Sequence, residues 1–419
     1  MVTFCVRYCL LLGLLLRAAM AAAQPTVPAD SLRPAAAPRR PAPPADVVDM
    51  LNAAIVRLRL APHDSLALAQ GGKFVAVLPA VGYSQQTGGL VEVAADVAFR
   101  APLANMSTVL GSLIYTAHEQ AIFTVTSSLW APSNRWNLLG DLRLMHYPQS
   151  TYGLGMHTST TEQVVTMDYD YLRVHQSVLR RLAPNLYAGL GVQLDDHWNI
   201  LSRNGRREVG IISHYHTGVR GRSLSVGPAV SVLYDSRTNA INPLRGVYLS
   251  AVFRTNRLAL GSNTNFESLL LEGRAYLRPS RRSANVLAFW SYNALTLGGT
   301  PPFLDLPSTG WDMYSNLGRG YIQGRFRGKN LLYLESEYRF GITRNRLLGG
   351  VVFANAQAVS EDAQIPDETI AKRFDKVAPA VGVGLRLNLN KVSRTNLAID
   401  YARGIQGSSS LSFNVGEVF

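Results

Sequence analysis

The chain has 419 residues, with 41 Lys+Arg against 28 Asp+Glu, a formal charge of +13, and 16% charged beside 47% hydrophobic residues. After the N-terminus no run approaches the 18 or so consecutive apolar residues of a transmembrane helix, and charge this sparse does not suit a helical enzyme. Many Gly and Tyr with few charges fit a β-rich protein or a membrane barrel.

At the N-terminus, Arg7 precedes the apolar run 8–16, and Arg17 leads into the small residues 18–23. Ala21 and Ala23 form an A-x-A site with cleavage before Gln24, so 1–23 read as a secretory signal. Cys5 and Cys9 leave with it, and no Cys follows the small residues, which argues against a lipoprotein. The mature chain then has no disulfide, thiol nucleophile or Cys-based metal site. Export also argues against nucleic acid as the reason for the positive charge, and favours an envelope rich in anionic lipid.

Residues 24–46 are a Pro/Ala-rich linker. Asp46 is placed to cap a short helix to about Leu60, with Val47, Val48, Leu51, Ile55 and Leu58 on one side. Residues 47–72 are therefore read as a short periplasmic helix and lead-in, and the segment 24–60 could dock a separate periplasmic protein.

From 73 to 419 the pattern is one of ten-residue runs alternating apolar and polar. Val91, Val93, Ala95, Val97 and Phe99 share one face. So do Leu224, Val226, Val230, Val232 and Tyr234, and so do Val381, Val383, Leu385, Leu387 and Leu389. Successive side chains of a strand point to opposite faces, so each run has an oily and a wet side. About 16 such runs are found, from 74–83 to 410–419. The long connectors, near 148–162, 200–219, 297–328 and 360–375, are all odd-numbered, and most even-numbered ones are short. Short periplasmic turns, long external loops and an even strand count are outer-membrane barrel features. Lipid cannot solvate an open sheet edge, so the sheet must close. The expected fold is all-β: a closed antiparallel transmembrane β-barrel of about 16 strands. Within 163–178 the apolar set moves from Met167, Tyr169 and Tyr171 to Leu172, Val174 and Val178, which predicts a bulge or, alternatively, two shorter elements.

The longest loop, number six, feeds the run 329–341. There Leu332, Leu334, Ser336, Tyr338 and Phe340 are expected toward lipid, and Tyr333, Glu335, Glu337 and Arg339 toward the lumen. Arg319, Arg325, Arg327 and Lys329 precede them, so a basic loop folding back onto an acidic wall would plug the pore.

Three motifs resemble the BamA/TamA outer-membrane assembly superfamily, the bacterial surface antigen barrels. Arg319-Gly320-Tyr321 is similar to its Arg-Gly-aromatic motif in loop six. DSRTNAINPLRG is similar to its periplasmic turn, matched at Asp235, Arg237, Asn239, Pro243 and Gly246. The final strand ending in Phe419 looks like the signal read by the barrel assembly machinery. The resemblance covers about 74–419. It implies sixteen strands, loop six tucked into the lumen, and the loop Arg against an F-x-D-x-G strand. Here Phe353 matches, but Asn355 replaces the acid and Gln357 the glycine, so Arg319 is expected to lean on Glu335, Glu337 or Asp400. Gly318 stands where the family prefers an aliphatic residue, and Glu417 where the terminal signal is usually apolar. The roughly 50 residues between Gln24 and Phe74 leave no room for a POTRA domain, the module that receives clients in this family.

The resemblance implies a role in envelope biogenesis at the outer membrane of a Gram-negative-type envelope. Such a protein would insert or move protein or lipid at a lateral seam between the first and last strands, where Pro79, Gly82 and Gly416 weaken pairing. The alternative is a loop-gated pore or passive transporter. A lipid hydrolase is remote: His157 lies near Ser159, but no G-x-S-x-G appears. Neither catalysis nor a cofactor is expected. His214 and His216 share a face, but two ligands do not make a metal site. The expected partners are outer-membrane lipids, the barrel assembly machinery for its own insertion, and a periplasmic protein, with no nucleic acid.

Overall fold

The computed structural model describes residues 44–47, 49–50, 73–160, 164–203, 215, 217–237, 239–280, 283–313, 315–360, 374–391 and 394–419. Five strands open the barrel: β1 (Phe74–Ser84), β2 (Gly88–Arg100), β3 (Met106–Thr116), β4 (Ala121–Trp130) and β5 (Trp136–His146). The three-residue β6 (Gln149–Thr151) follows, then β7 (Val165–Ala183), β8 (Leu186–Ser202), β9 (Gly221–Asp235), β10 (Gly246–Asn256), β11 (Phe266–Leu277) and β12 (Val286–Gly299). After loop six come β13 (Asn330–Gly341), β14 (Leu348–Val359), β15 (Ala378–Asn390), β16 (Thr395–Gly404) and β17 (Ser409–Val415).

The strands form one 17-stranded antiparallel sheet. Both β5 and β6 pair with β7, so they share a stave and sixteen staves result. Each stave pairs with its neighbours in sequence, from β1 with β2 to β16 with β17. The sheet is nearly closed into a barrel. β1 and β17 come within 8 Å between Cα atoms, yet among the described residues no ladder joins them.

The alternation of the sequence dictates this arrangement. On β13, Leu331, Tyr333, Glu335, Glu337 and Arg339 are buried while Leu334 is exposed. On β9, Ser223, Ser225 and Ser231 are buried while Val230 and Val232 are exposed. A sheet with polar groups inside and aliphatic groups outside is inverted relative to a soluble protein and suits lipid around it.

The short connections β2–β3, β4–β5, β7–β8, β13–β14 and β15–β16 lie at one end, here the short-turn end, with β9–β10 and β11–β12. The long connections lie at the other.

Two expectations are corrected. The final run does not stay in the sheet to residue 419. β17 ends at Val415, and Gly416 at φ 104° turns the last residues away. Glu417, Val418 and Phe419 find buried partners there that a lipid-facing strand end would not offer. The predicted bulge is absent from β7 between Tyr171 and Leu172, which pair in step with His197 and Asp196. The extra residue sits on β8, where Asp168 and Asp170 pair with Leu201 and Trp198, and Asn199 adopts φ 53°. β7 keeps its phase. Its interior face changes from aromatic to polar, with Met167, Tyr169 and Tyr171 packed under loop residues Phe303 and Leu306. Chemistry alone, not backbone register, produced the apparent shift.

At the N-terminal edge, Asp46 accepts from the Asp49 N–H at 3.0 Å, and the Asp49 carboxylate accepts from the Asp46 N–H at 3.1 Å. This is a capping box at the start of a helical turn. The rest of the expected helix lies outside the described residues, as do His214 and His216.

Candidate functional site

Arg319 of loop six contacts buried side chains of three strands. Its Nη1 donates to Asp400 Oδ2 on β16 at 2.9 Å. Its Nη2 donates to Glu335 and, at 3.2 Å, to Glu337, both on β13. The guanidinium carbon lies 3.4 Å from the centre of the Phe353 ring on β14. A planar guanidinium is the side chain that can bridge carboxylates and stack on a ring together. Asn355 donates to the Arg319 carbonyl at 2.9 Å. The residue that departs from the family acid thus holds the loop backbone, and the charge is met by the three carboxylates.

The cluster extends further. Arg386 on β15 donates to Asp400 at 2.6 Å and to Glu417 at 2.8 Å, and reaches Glu337 at 3.4 Å. Arg339 lies 3.5 Å from Glu337. Tyr333 donates to Glu335. Three arginines and four carboxylates therefore interlock, all buried, where charge-assisted hydrogen bonds are strong and any loss is costly.

The backbone of the motif depends on glycine. Gly320 has φ 102°, and a Cβ there would lie 2.7 Å from Ala380 Cβ. Gly318 has φ 84°, and a Cβ would lie 2.6 Å from Thr309 Cγ2. No aliphatic residue fits at 318 in this loop path. Tyr321 donates its hydroxyl to the Pro379 carbonyl at 2.6 Å and accepts from the Ile405 N–H at 3.1 Å. Arg327 donates to the Phe303 carbonyl at 3.0 Å, and Arg325 to Thr158 at 2.6 Å.

The second motif forms the β9–β10 turn. Arg237 donates to Asp235 at 3.0 and 2.8 Å and lies 4.5 Å over the Tyr248 ring. Burial opposes the charge of Arg237, and the hydrogen bonds and charge of Asp235 more than offset it, raising its pKa. Asn239 accepts from the N–H groups of Ile241 and Asn242, each at 2.8 Å. Pro243 is buried. Gly246 has φ 114°, and a Cβ there would lie 2.6 Å from the Ser236 carbonyl oxygen.

The third motif, the C-terminus, joins the first two. Phe419 stacks on Trp290 at 5.3 Å and 27°, and its carbonyl accepts from Arg339 at 2.8 Å. Asn316 of loop six donates to the Val418 carbonyl at 3.0 Å. Glu417 accepts from Asn396 at 2.6 Å and from Asn242 of the β9–β10 turn at 3.3 Å.

Residues 110–419 match the Omp85 superfamily domain. The chain belongs to the Omp85 superfamily. It is an outer-membrane β-barrel. The similar solved structures share its fold at low identity. BamA from Haemophilus ducreyi lacking POTRA domains 1–3 has 14% identity and a TM-score of 0.50, covering 82% of this chain and 69% of that one. CdiB from Escherichia coli has 10% identity and a TM-score of 0.53, covering 84% and 68%. CdiB from Acinetobacter baumannii has 12% identity and a TM-score of 0.50, and the chain spans 60% of its length. Comparison with curated protein sequences finds no match.

Sequence reasoning named Glu335, Glu337 and Asp400 as candidate partners of Arg319 and turned Tyr333 inward with them, but it did not name Arg386 or the inward tail. The N-terminal edge of this Omp85 barrel docks against the short-turn end. There the Ala45 N–H donates to the Asn345 carbonyl at 2.9 Å, and Lys391 bonds Asp49 at 2.6 Å. The Lys391 hydrogen bond holds the Asp49 carboxyl below its usual range. Partners 300 or more residues apart leave no local signal.

Proposed function

We propose that the chain assists the insertion or translocation of protein or lipid at the outer membrane, through the seam between β1 and β17. The observation that carries this reading is the seam. Every other stave is laddered to both neighbours along its length, while these two approach without a described ladder. Such an edge, in a medium with no water to satisfy it, is a place where an incoming strand or lipid can enter.

In this reading loop six folds into the lumen, with Arg319 as its pin. The pin ties β13, β14 and β16 into one rigid wall, so that movement is confined to the seam. The short-turn end faces the periplasm, where the 44–50 edge can meet a separate periplasmic protein. The chain itself enters the membrane through the barrel assembly machinery.

The test is an insertion assay with purified protein in lipid vesicles and a urea-unfolded small barrel as client. Faster appearance of the heat-resistant folded client than in empty vesicles supports the reading. Equal rates overturn it for protein clients.

A loop-gated pore is the second reading, favoured by the buried contacts of Arg319, Arg325 and Arg327. Deleting 316–328 would then raise single-channel conductance sharply. Unchanged conductance would count against a plugged lumen.

A further inference from the structure

The short-turn end carries a cation on every connection. Arg100 ends β2, Arg135 precedes β5, and Arg180 and Arg181 lie at the end of β7, all exposed. Further round, Arg245 precedes β10, Arg278 follows β11, and Arg344 with Arg346 lie between β13 and β14, again exposed. The remaining connection holds Lys391 and Arg394, both half-buried. The carboxylates described at this end have contacts of their own: Asp235 with Arg237, Glu417 with Arg386, Asp49 with Lys391, and Asp46 as a helix cap. Among the described residues, surplus positive charge therefore runs round most of the circumference, the β15–β16 connection with its paired Lys391 excepted. At the loop end Arg203 pairs with Glu119 and Asp168, and Arg257 with Glu267, while Arg403 is exposed.

The same connections expose large apolar side chains. Leu103 is 89% exposed, Leu182 64%, and Ile342 53%. Trp136 is also exposed, with the Arg180 guanidinium 5.8 Å from its ring. Apolar side chains beside arginines at the rim of an oily band fit the boundary of a bilayer. There the apolar groups enter the acyl region and the cations stay at headgroup level.

We propose that this arginine ring binds the phosphodiester headgroups of anionic phospholipids in the leaflet at the short-turn end. A circumferential ring matches an annulus of lipid, whereas an acidic protein partner would call for charge on one flank. Guanidinium suits phosphate because two of its N–H groups can meet two oxygens. The inference rests on the chain being an outer-membrane barrel and not on what it inserts or conducts, so failure of the insertion assay leaves it intact.

The experiment is native mass spectrometry of the full chain in detergent, offered equal amounts of phosphatidylglycerol and phosphatidylcholine. The wild type is expected to retain phosphatidylglycerol several-fold over phosphatidylcholine, and less so at high salt. Combining R180Q, R181Q, R344Q and R346Q should remove most of that preference, while R203Q at the loop end should keep it. If the fourfold variant does not fold, the pairs R180Q/R181Q and R344Q/R346Q are measured separately, and each should lower the preference. No preference in the wild type, or an unchanged preference in the folded variants, overturns the proposal.

Discussion

Arg319 Nη1 and Asp400 Oδ2 stand 2.9 Å apart across 81 residues of sequence. This contact ties loop six to the stave next to the last one. The same guanidinium holds Glu335 and Glu337, so one residue links the loop to both β13 and β16.

Arg319→Ala should destabilise the barrel by about 3–5 kcal/mol, because it leaves buried carboxylates uncompensated. Arg319→Lys should recover only part of that, since a point charge cannot bridge three carboxylates and stack on Phe353. The check is the midpoint of heat-induced unfolding on gels. Equal midpoints for Ala and wild type would mean the cluster does not stabilise the fold.

Gly320→Ala should cost about 1–2 kcal/mol from its left-handed backbone alone, and more from the contact with Ala380. Gly407→Ala is the control. It has φ 74° but nothing within 4 Å of a Cβ, so it should lower the midpoint less. The ranking of the two variants tests whether close approach, beyond backbone strain, fixes the motif.

Phe419→Ala should cost roughly 3 kcal/mol or more, as a buried aromatic truncation. Phe413→Ala, on the exposed face of β17, should cost less in detergent. Measurement on protein refolded in vitro separates this packing role from the terminal residue's expected part in cellular insertion.

Docking of the 44–50 edge should depend on pH. Asp49 has its folded pKa lowered by Lys391. Its contribution is therefore fully present above the unfolded value, about 3.9, and is lost as pH falls through the lower folded value. Hydrogen exchange of the Asp49 amide should rise, relative to its unfolded rate, only below about pH 4. A rise near neutrality would place the control elsewhere.

Much of the fold was legible because lipid imposes one rule on every stave: aliphatic outside, polar inside, period two. The runs 74–83 and 329–341 differ from β1 and β13 by at most one residue. The rule fails where strands leave lipid. On β7 the buried residues Tyr169 and Tyr171 are aromatic and pack with Phe303 and Leu306 of loop six. At the C-terminus, Phe419 looked like a strand end because its inward partners, Trp290 and Arg339, are distant in sequence. In the site, Arg319 was legible as a motif, and Glu335 and Glu337 followed from strand parity. Arg386 and Glu417 did not, because their pairing depends on the turn at Gly416.

The most direct test of the central claim is regulated depletion of the protein, followed by quantitative proteomics and lipidomics of the outer membrane. The account predicts a loss of other barrels or an altered lipid balance before growth slows. An outer membrane unchanged in both would contradict a role in envelope biogenesis.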